Sequence, residues 1–166
     1  PAGMFAYLIF GLVSGLTSRK LEWQDCNLQA DTPAIALLSY SHSPDPIVHG
    51  HNNTISKRWQ LLGSGNAPMR SLTEQVNVSR RSKASDPWEP YFQNTFDLCA
   101  PNAHPSLCSG DLMPGSAFSY IDHHSPSRSP FSPHFRAIEH YFVNGVYGGC
   151  VTVVYDQVDN AMAWDE

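Results

Sequence analysis

Phe135 to Asp156 reads FRAIEHYFVNGVYGGCVTVVYD. Two runs rich in β-branched and aromatic residues, Phe135–Phe142 and Tyr147–Asp156, flank Val143-Asn144-Gly145. An Asn-Gly pair readily takes the positive φ angles that a tight hairpin turn demands. Val151, Val153 and Tyr155 lie two apart and therefore share one face of a strand. The stretch predicts a terminal β-hairpin with one buried face.

Upstream segments carry the same period. In Ser71–Ser79 (SLTEQVNVS), Leu72, Val76 and Val78 fall on one face, opposite Thr73, Gln75, Asn77 and Ser79. Glu74 is the discord, a carboxylate among the apolar set. Ile47–Gly50 and Thr54–Leu62 predict strands separated by the polar turn His51-Asn52-Asn53. Ala34–Tyr40 is an apolar run broken by Pro44-Asp45-Pro46, and Leu21–Cys26 (LEWQDC) is a short strand. Ser82–Pro133 is rich in Pro, Ser and His, and its regular structure is not legible. It nevertheless holds Trp88, Tyr91, Phe92, Phe96, Phe118, Tyr120 and Phe131. Disordered linkers are depleted in such residues, so these rings line or cover something apolar. With no convincing amphipathic helix after the first residues, the fold class is all-β.

The 166 residues suffice for one domain with a core. Net charge is -5, and the nearest thing to a basic run is Arg80-Arg81 with Lys83, which reads as a solvated strand end. Nothing there neutralises a phosphate backbone, so nucleic acid is excluded as a partner. Met4–Leu16 (MFAYLIFGLVSGL) is too short to span a bilayer and fits the apolar segment of a signal peptide. The expected organisation is a signal peptide over residues 1–18 and one domain over 19–166. Four cysteines, Cys26, Cys99, Cys108 and Cys150, contain no C-x-x-C pair, which favours disulfides over zinc. Their spacing leaves all three pairings open. Asn52-Asn53-Thr54 and Asn77-Val78-Ser79 are glycosylation sequons. Together these features point to a secreted or lysosomal protein.

Catalytic constellations are weak. Gly63-Ser64-Gly65 lacks the spacing of a nucleophile elbow. His49 with His51, and Asp122-His123-His124, show no convergence of three or four ligands, and read as solvated histidines. Asp156, Asp159, Asp165 and Glu166 form a solvated acidic tail. No enzyme, cofactor or metal is expected. Eight histidines would add positive charge near pH 5 and favour contact with anionic lipid in an acidic compartment. Binding of something apolar is what remains.

Three groups of residues carry a resemblance. Trp23-Gln24-Asp25-Cys26, Pro33-Ala34-Ile35 and Ser43-Pro44-Asp45-Pro46-Ile47-Val48 form the first. Asp97-Leu98-Cys99 with Cys108-Ser109-Gly110 is the second, and Phe135–Glu139, Asn144-Gly145 and Gly149-Cys150-Val151 the third. In these positions the chain resembles the ML lipid-recognition family, and within it the ganglioside-activator branch. The resemblance implies an immunoglobulin-like two-sheet β-sandwich forming a lipid-binding cup, with pairings Cys26–Cys150 and Cys99–Cys108. Ser109 stands where that branch commonly has proline, and two of its bridges are absent. On this reading the cup is lined by Ile47, Ile55, Trp59, Leu61 and Leu72, together with Val76, Val78, Phe135, Val151 and Val153. Aromatic loops at the rim, Trp88–Phe96 and Phe118–Phe135, touch membrane transiently and admit the ligand. The implied function is non-catalytic lipid or glycolipid binding and transfer, with a glycosphingolipid presented to a lysosomal glycosidase. A lipid-sensing or sterol/phospholipid-binding module of the same fold is the alternative.

Overall fold

The computed structural model describes residues 21–26, 33–63, 67–124 and 134–158. The expected signal peptide, Phe131 and the tail residues Asp159, Asp165 and Glu166 lie outside them. The described residues form β1 (Glu22–Asp25), β2 (Ile35–Ser43), β3 (Ile47–Val48), β4 (Asn53–Leu61), β5 (Leu72–Arg81), β6 (Glu89–Asp97), β7 (Ala117–His124), β8 (His134–Val143) and β9 (Val146–Val158). A short 3-10 turn, Pro105–Cys108, sits between β6 and β7. The fold is all-β, as the sequence predicted.

The terminal hairpin forms through a two-residue turn, Val143 pairing Val146. Asn144 and Gly145 take φ of 50° and 77°, the left-handed pair that matches strand twist. A register shift follows between Tyr141 and Phe142. The glycine at the shift is required: a Cβ on Gly148 would stand 2.9 Å from Val143 Cγ2.

The larger sheet runs β1-β9-β8-β5-β6, with β3 joined in parallel to the end of β9; the smaller runs β2-β4-β7. Register assigns the inner faces. Leu72, Glu74, Val76, Val78 and Arg80 of β5 stand opposite Val143, Tyr141, Glu139, Ala137 and Phe135 of β8. Leu61, Trp59, Lys57 and Ile55 of β4 stand between Ile35, Leu37, Tyr40 and His42 of β2 on one side, and Phe118, Tyr120 and Asp122 of β7 on the other. β8 alternates half-buried and buried without exception, as a central strand with one face on a core must.

Along one side the sheets are tied together, where Ala34 N–H, leading into β2, donates to the Gly148 carbonyl of β9 at 2.7 Å. Within the larger sheet, Cys26 at the end of β1 is bonded to Cys150 of β9. The second bond, Cys99–Cys108, closes a short loop below β6. Both pairings are those the resemblance implied. For a bridge spanning 124 residues the chain-entropy relation gives about 4–5 kcal/mol, against roughly 2–3 kcal/mol for one spanning 9.

Two expectations are corrected. Trp88–Phe96 and Phe118–Phe135 are not simply aromatic loops, because β6 and β7 occupy most of their described parts. β6 is exposed at every position, so it lacks the burial alternation that marks a strand in sequence.

Candidate functional site

The interior divides into a filled half, a polar layer and a half that solvent reaches. In the filled half, Ile35, Leu37, Trp59, Leu61, Leu72, Phe118 and Val143 are buried with Met69, Leu98 and Leu107 from the connecting segments. Trp59 and Tyr141 pack ring to ring across it, centroids 4.4 Å apart. Rings from facing sheets at that distance leave no space for an acyl chain between them. Trp59, Leu61 and Leu72 are therefore core, not lining, and Phe118 and Tyr120 are inside the sandwich, not at its rim.

The polar layer is what the discordant Glu74 announced. Lys57 rises from β4 in the smaller sheet and donates to Glu74 Oε1 at 2.5 Å and Glu139 Oε2 at 3.0 Å in the larger. The Tyr141 hydroxyl lies 2.7 Å from Glu139 Oε2 and 2.9 Å from Glu74 Oε1, and Tyr40 donates to Glu139 Oε1 at 2.9 Å. Tyr120 reaches the Tyr141 hydroxyl at 3.5 Å. One cation faces two carboxylates, so one carboxyl must bear most of the cost of burial. Burial raises Glu74 to about 7, Lys57 pulling it back and the neighbouring Glu139 adding to the rise. Glu139 is also penalised by burial, but Lys57 and the hydrogen bonds from Tyr141, Lys57 and Tyr40 outweigh that and hold it low. Burial lowers Lys57, yet Glu139 and Glu74 more than reverse it, so it stays charged. A buried pair left without one partner is strongly destabilised. The layer thus pins the two sheets at a fixed spacing.

Beyond it the packing loosens on one side. Ile55, Val76 and Val78 point inward by register but are only half-buried. On β6, Phe92 faces the interior opposite Val78 and Phe96 opposite Glu74, yet they are 46% and 39% exposed. Tyr91, at the bulge between Val78 and Ser79, is 43% exposed. An inner face that water reaches means β7 does not close over β6. An aromatic line leads inward from this edge: Tyr91 to Phe135 at 5.6 Å, Phe135 stacked on Tyr155 at 5.6 Å, Tyr155 to His42 at 5.3 Å and His42 to Tyr40 at 5.4 Å. His42 is buried, and among the described residues neither ring nitrogen has a hydrogen-bond partner. Burial lowers its pKa to about 4, so it stays neutral in mildly acidic conditions.

Other sequence-predicted residues scatter. Val151 and Val153 are buried on β9, and Phe135 on β8 beside the open half; Ile47 is buried in β3 at the end of β9. Trp88 lies on the outer face of the larger sheet, against Arg81 and Arg136. Asn52 is exposed in its turn, and Asn77 is half-buried on the outward face of β5. His123 approaches Thr54, while His104 and His134 pair with Asp122 and Asp156 at 2.8 and 2.7 Å. Among the described residues no group of three or more His, Cys, Asp or Glu could hold a metal ion, and no helix is long and apolar enough to cross a membrane.

Sequence reasoning missed Lys57, Glu139, Tyr40, Tyr141 and His42. Glu139 held a signal of the same kind as Glu74, a carboxylate on the inward period of the clearest strand.

No family model and no curated protein matches the sequence. Solved structures do. A Niemann-Pick type C2 protein from Japanese carpenter ant superposes with a TM-score of 0.53 at 10% identity, over 82% of this chain and 99% of that one. Chicken MD-1 complexed with lipid IVa gives 0.52 at 13% identity, over 82% and 88%. With nine strands in two sheets among the described residues and its two disulfides, the chain has the fold of the ML lipid-recognition domains.

Proposed function

We propose that this chain is a non-catalytic lipid carrier that takes the apolar part of its ligand into the open half of the sandwich. The observation that carries this is the exposure of inward-facing apolar side chains: Ile55, Val76 and Val78 from facing strands, with Phe92 and Phe96 along the uncovered edge. Folded chains bury such faces unless something else covers them, and a contiguous exposed apolar surface marks a binding site. Each methylene moved from water into the gap contributes about 0.8 kcal/mol. Solvent-exposed Tyr91, Phe92 and Phe96 serve as the membrane-contacting edge in place of the loops expected from sequence. The chicken MD-1 structure, of the same fold, is a lipid complex, which supports an apolar ligand here.

Finer parts of the proposal rest on the sequence resemblance: a glycosphingolipid ligand, presentation of its headgroup to a lysosomal glycosidase, and residence outside the cytosol. Two disulfides suit an oxidising compartment. The test is lipid extraction from the purified protein followed by mass spectrometry, with transfer of labelled lipid between vesicles. A co-purifying lipid is expected, and Phe92→Asp with Phe96→Asp should reduce transfer at least tenfold without lowering the melting temperature. Binding without transfer would favour the lipid-sensing alternative. Absence of both, with no uptake of a fluorescent fatty acid, would end the carrier reading.

A further inference from the structure

A second site lies outside the sandwich. Arg81 near the end of β5 and Arg136 on β8 both point outward from the larger sheet, because their neighbours Arg80 and Phe135 point inward. Arg136 pairs directly with Ser79 and Arg81 with His134, so the two arginines are diagonal neighbours on one face. Trp88, returning from the β5–β6 connection, packs against both: the guanidinium carbons lie 4.2 Å and 4.9 Å from its ring centre. Neither guanidinium makes an ion pair or hydrogen bond among the described residues, and the buried Nε of each lacks an acceptor.

This is unusual chemistry for a surface. Exposed arginines ordinarily lose rotamer entropy when fixed, and like charges on one face repel. Here the indole holds both planar cations in place at once, so much of the ordering cost of binding an anion is already met. Two neighbouring carboxylates have partners of their own. Asp156 accepts from or pairs with His134 at 2.7 Å, and Asp86 takes the Lys83 backbone N–H at 3.0 Å. Two guanidinium forks held against one ring match the charge and the several acceptor oxygens of a phosphate monoester.

We propose that Arg81, Trp88 and Arg136 form a phosphate-binding site on the outer face of the sandwich. Its occupant is a phosphate monoester group, borne by a membrane lipid or by a soluble molecule. The site is independent of the apolar interior, so either proposal can fail alone. The chain's net charge of -5 opposes general attraction to anions, so any such affinity must be local.

The test uses the full chain with three probes: inorganic phosphate by calorimetry, vesicles of phosphatidylcholine, and the same vesicles containing phosphatidic acid. Binding to at least one phosphate probe is expected, with no more than weak binding to plain phosphatidylcholine. R81Q/R136Q should lose it tenfold or more, and R81K/R136K, which keeps the charge but not the planar fork, should lose most of it. K83Q, removing a charge outside the stack, should not. Binding to phosphatidic acid vesicles that millimolar phosphate displaces identifies a lipid source; binding of inorganic phosphate alone identifies a soluble one. Failure of the wild type to bind either phosphate probe, or Lys variants that bind as well as wild type, overturns the proposal. Melting temperatures and lipid transfer measured on the same variants separate loss of the site from loss of the fold or of the carrier function.

Discussion

At the scale of single residues, the Lys57 layer sets the pH behaviour. Glu74 has its folded pKa raised from 4.5 to about 7. Its contribution to stability is therefore full below pH 4.5, and is lost as the pH rises toward 7. His42 works the other way. Its folded pKa falls from 6.5 to about 4, so its contribution is present above pH 6.5 and lost as pH falls toward 4. Between these ranges the two oppose each other, and variants are needed to separate them. Glu74→Gln keeps the Lys57–Glu139 pair and removes the buried titration. It is expected to melt about 3–6 °C above wild type at pH 8 and level with it at pH 5. A difference that is the same at both pH values would show that Glu74 does not hold a proton near neutrality. Lys57→Met leaves two buried carboxylates without their cation, and urea unfolding at pH 8 should show a loss of about 3–5 kcal/mol. Glu74 was visible in sequence as a break in alternation. Its partner was not, because Lys57 looks like any polar residue in a strand until the facing sheet is placed.

At the scale of elements, β6 differs from its neighbours. Among the described residues it pairs on one side only, with β5, and it is exposed at all nine positions. A strand with one hydrogen-bonded neighbour and little burial belongs to the low-stability end of local opening. Backbone amides of Phe92–Phe96 should exchange with solvent at least a hundredfold faster than those of Ala137–Tyr141 in β8, by hydrogen-exchange mass spectrometry. Under the carrier reading, loading with lipid slows β6 and leaves β8 unchanged; equal protection of both strands without ligand would contradict an uncovered edge. The same asymmetry explains what the sequence revealed. β5, β8 and β9 are covered on one face, and their alternation was readable. β6 is covered on neither, so its aromatics resembled a loop. β7 does alternate at Phe118 and Tyr120, but it is a short strand inside a stretch dominated by Pro, Ser and His.

At the scale of the whole molecule, the two disulfides do unequal work. Cys26–Cys150 ties the first strand to the last, spanning 124 residues, while Cys99–Cys108 spans 9. Replacing the first pair with alanine should cost about 4–5 kcal/mol in urea unfolding and the second about 2–3 kcal/mol. Equal losses would mean that native contacts, not chain connectivity, govern both. The Ala34–Gly148 hydrogen bond joins the two sheets along one long side, and the uncovered β6 leaves the other ajar. Under the carrier reading, a gap running beside a strand, in place of a hole ringed by loops, lets a guest enter broadside. On that reading a sugar chain or second tail never has to thread a constriction, and selection falls on girth, gauged by how far Lys57 lets the two walls stand apart.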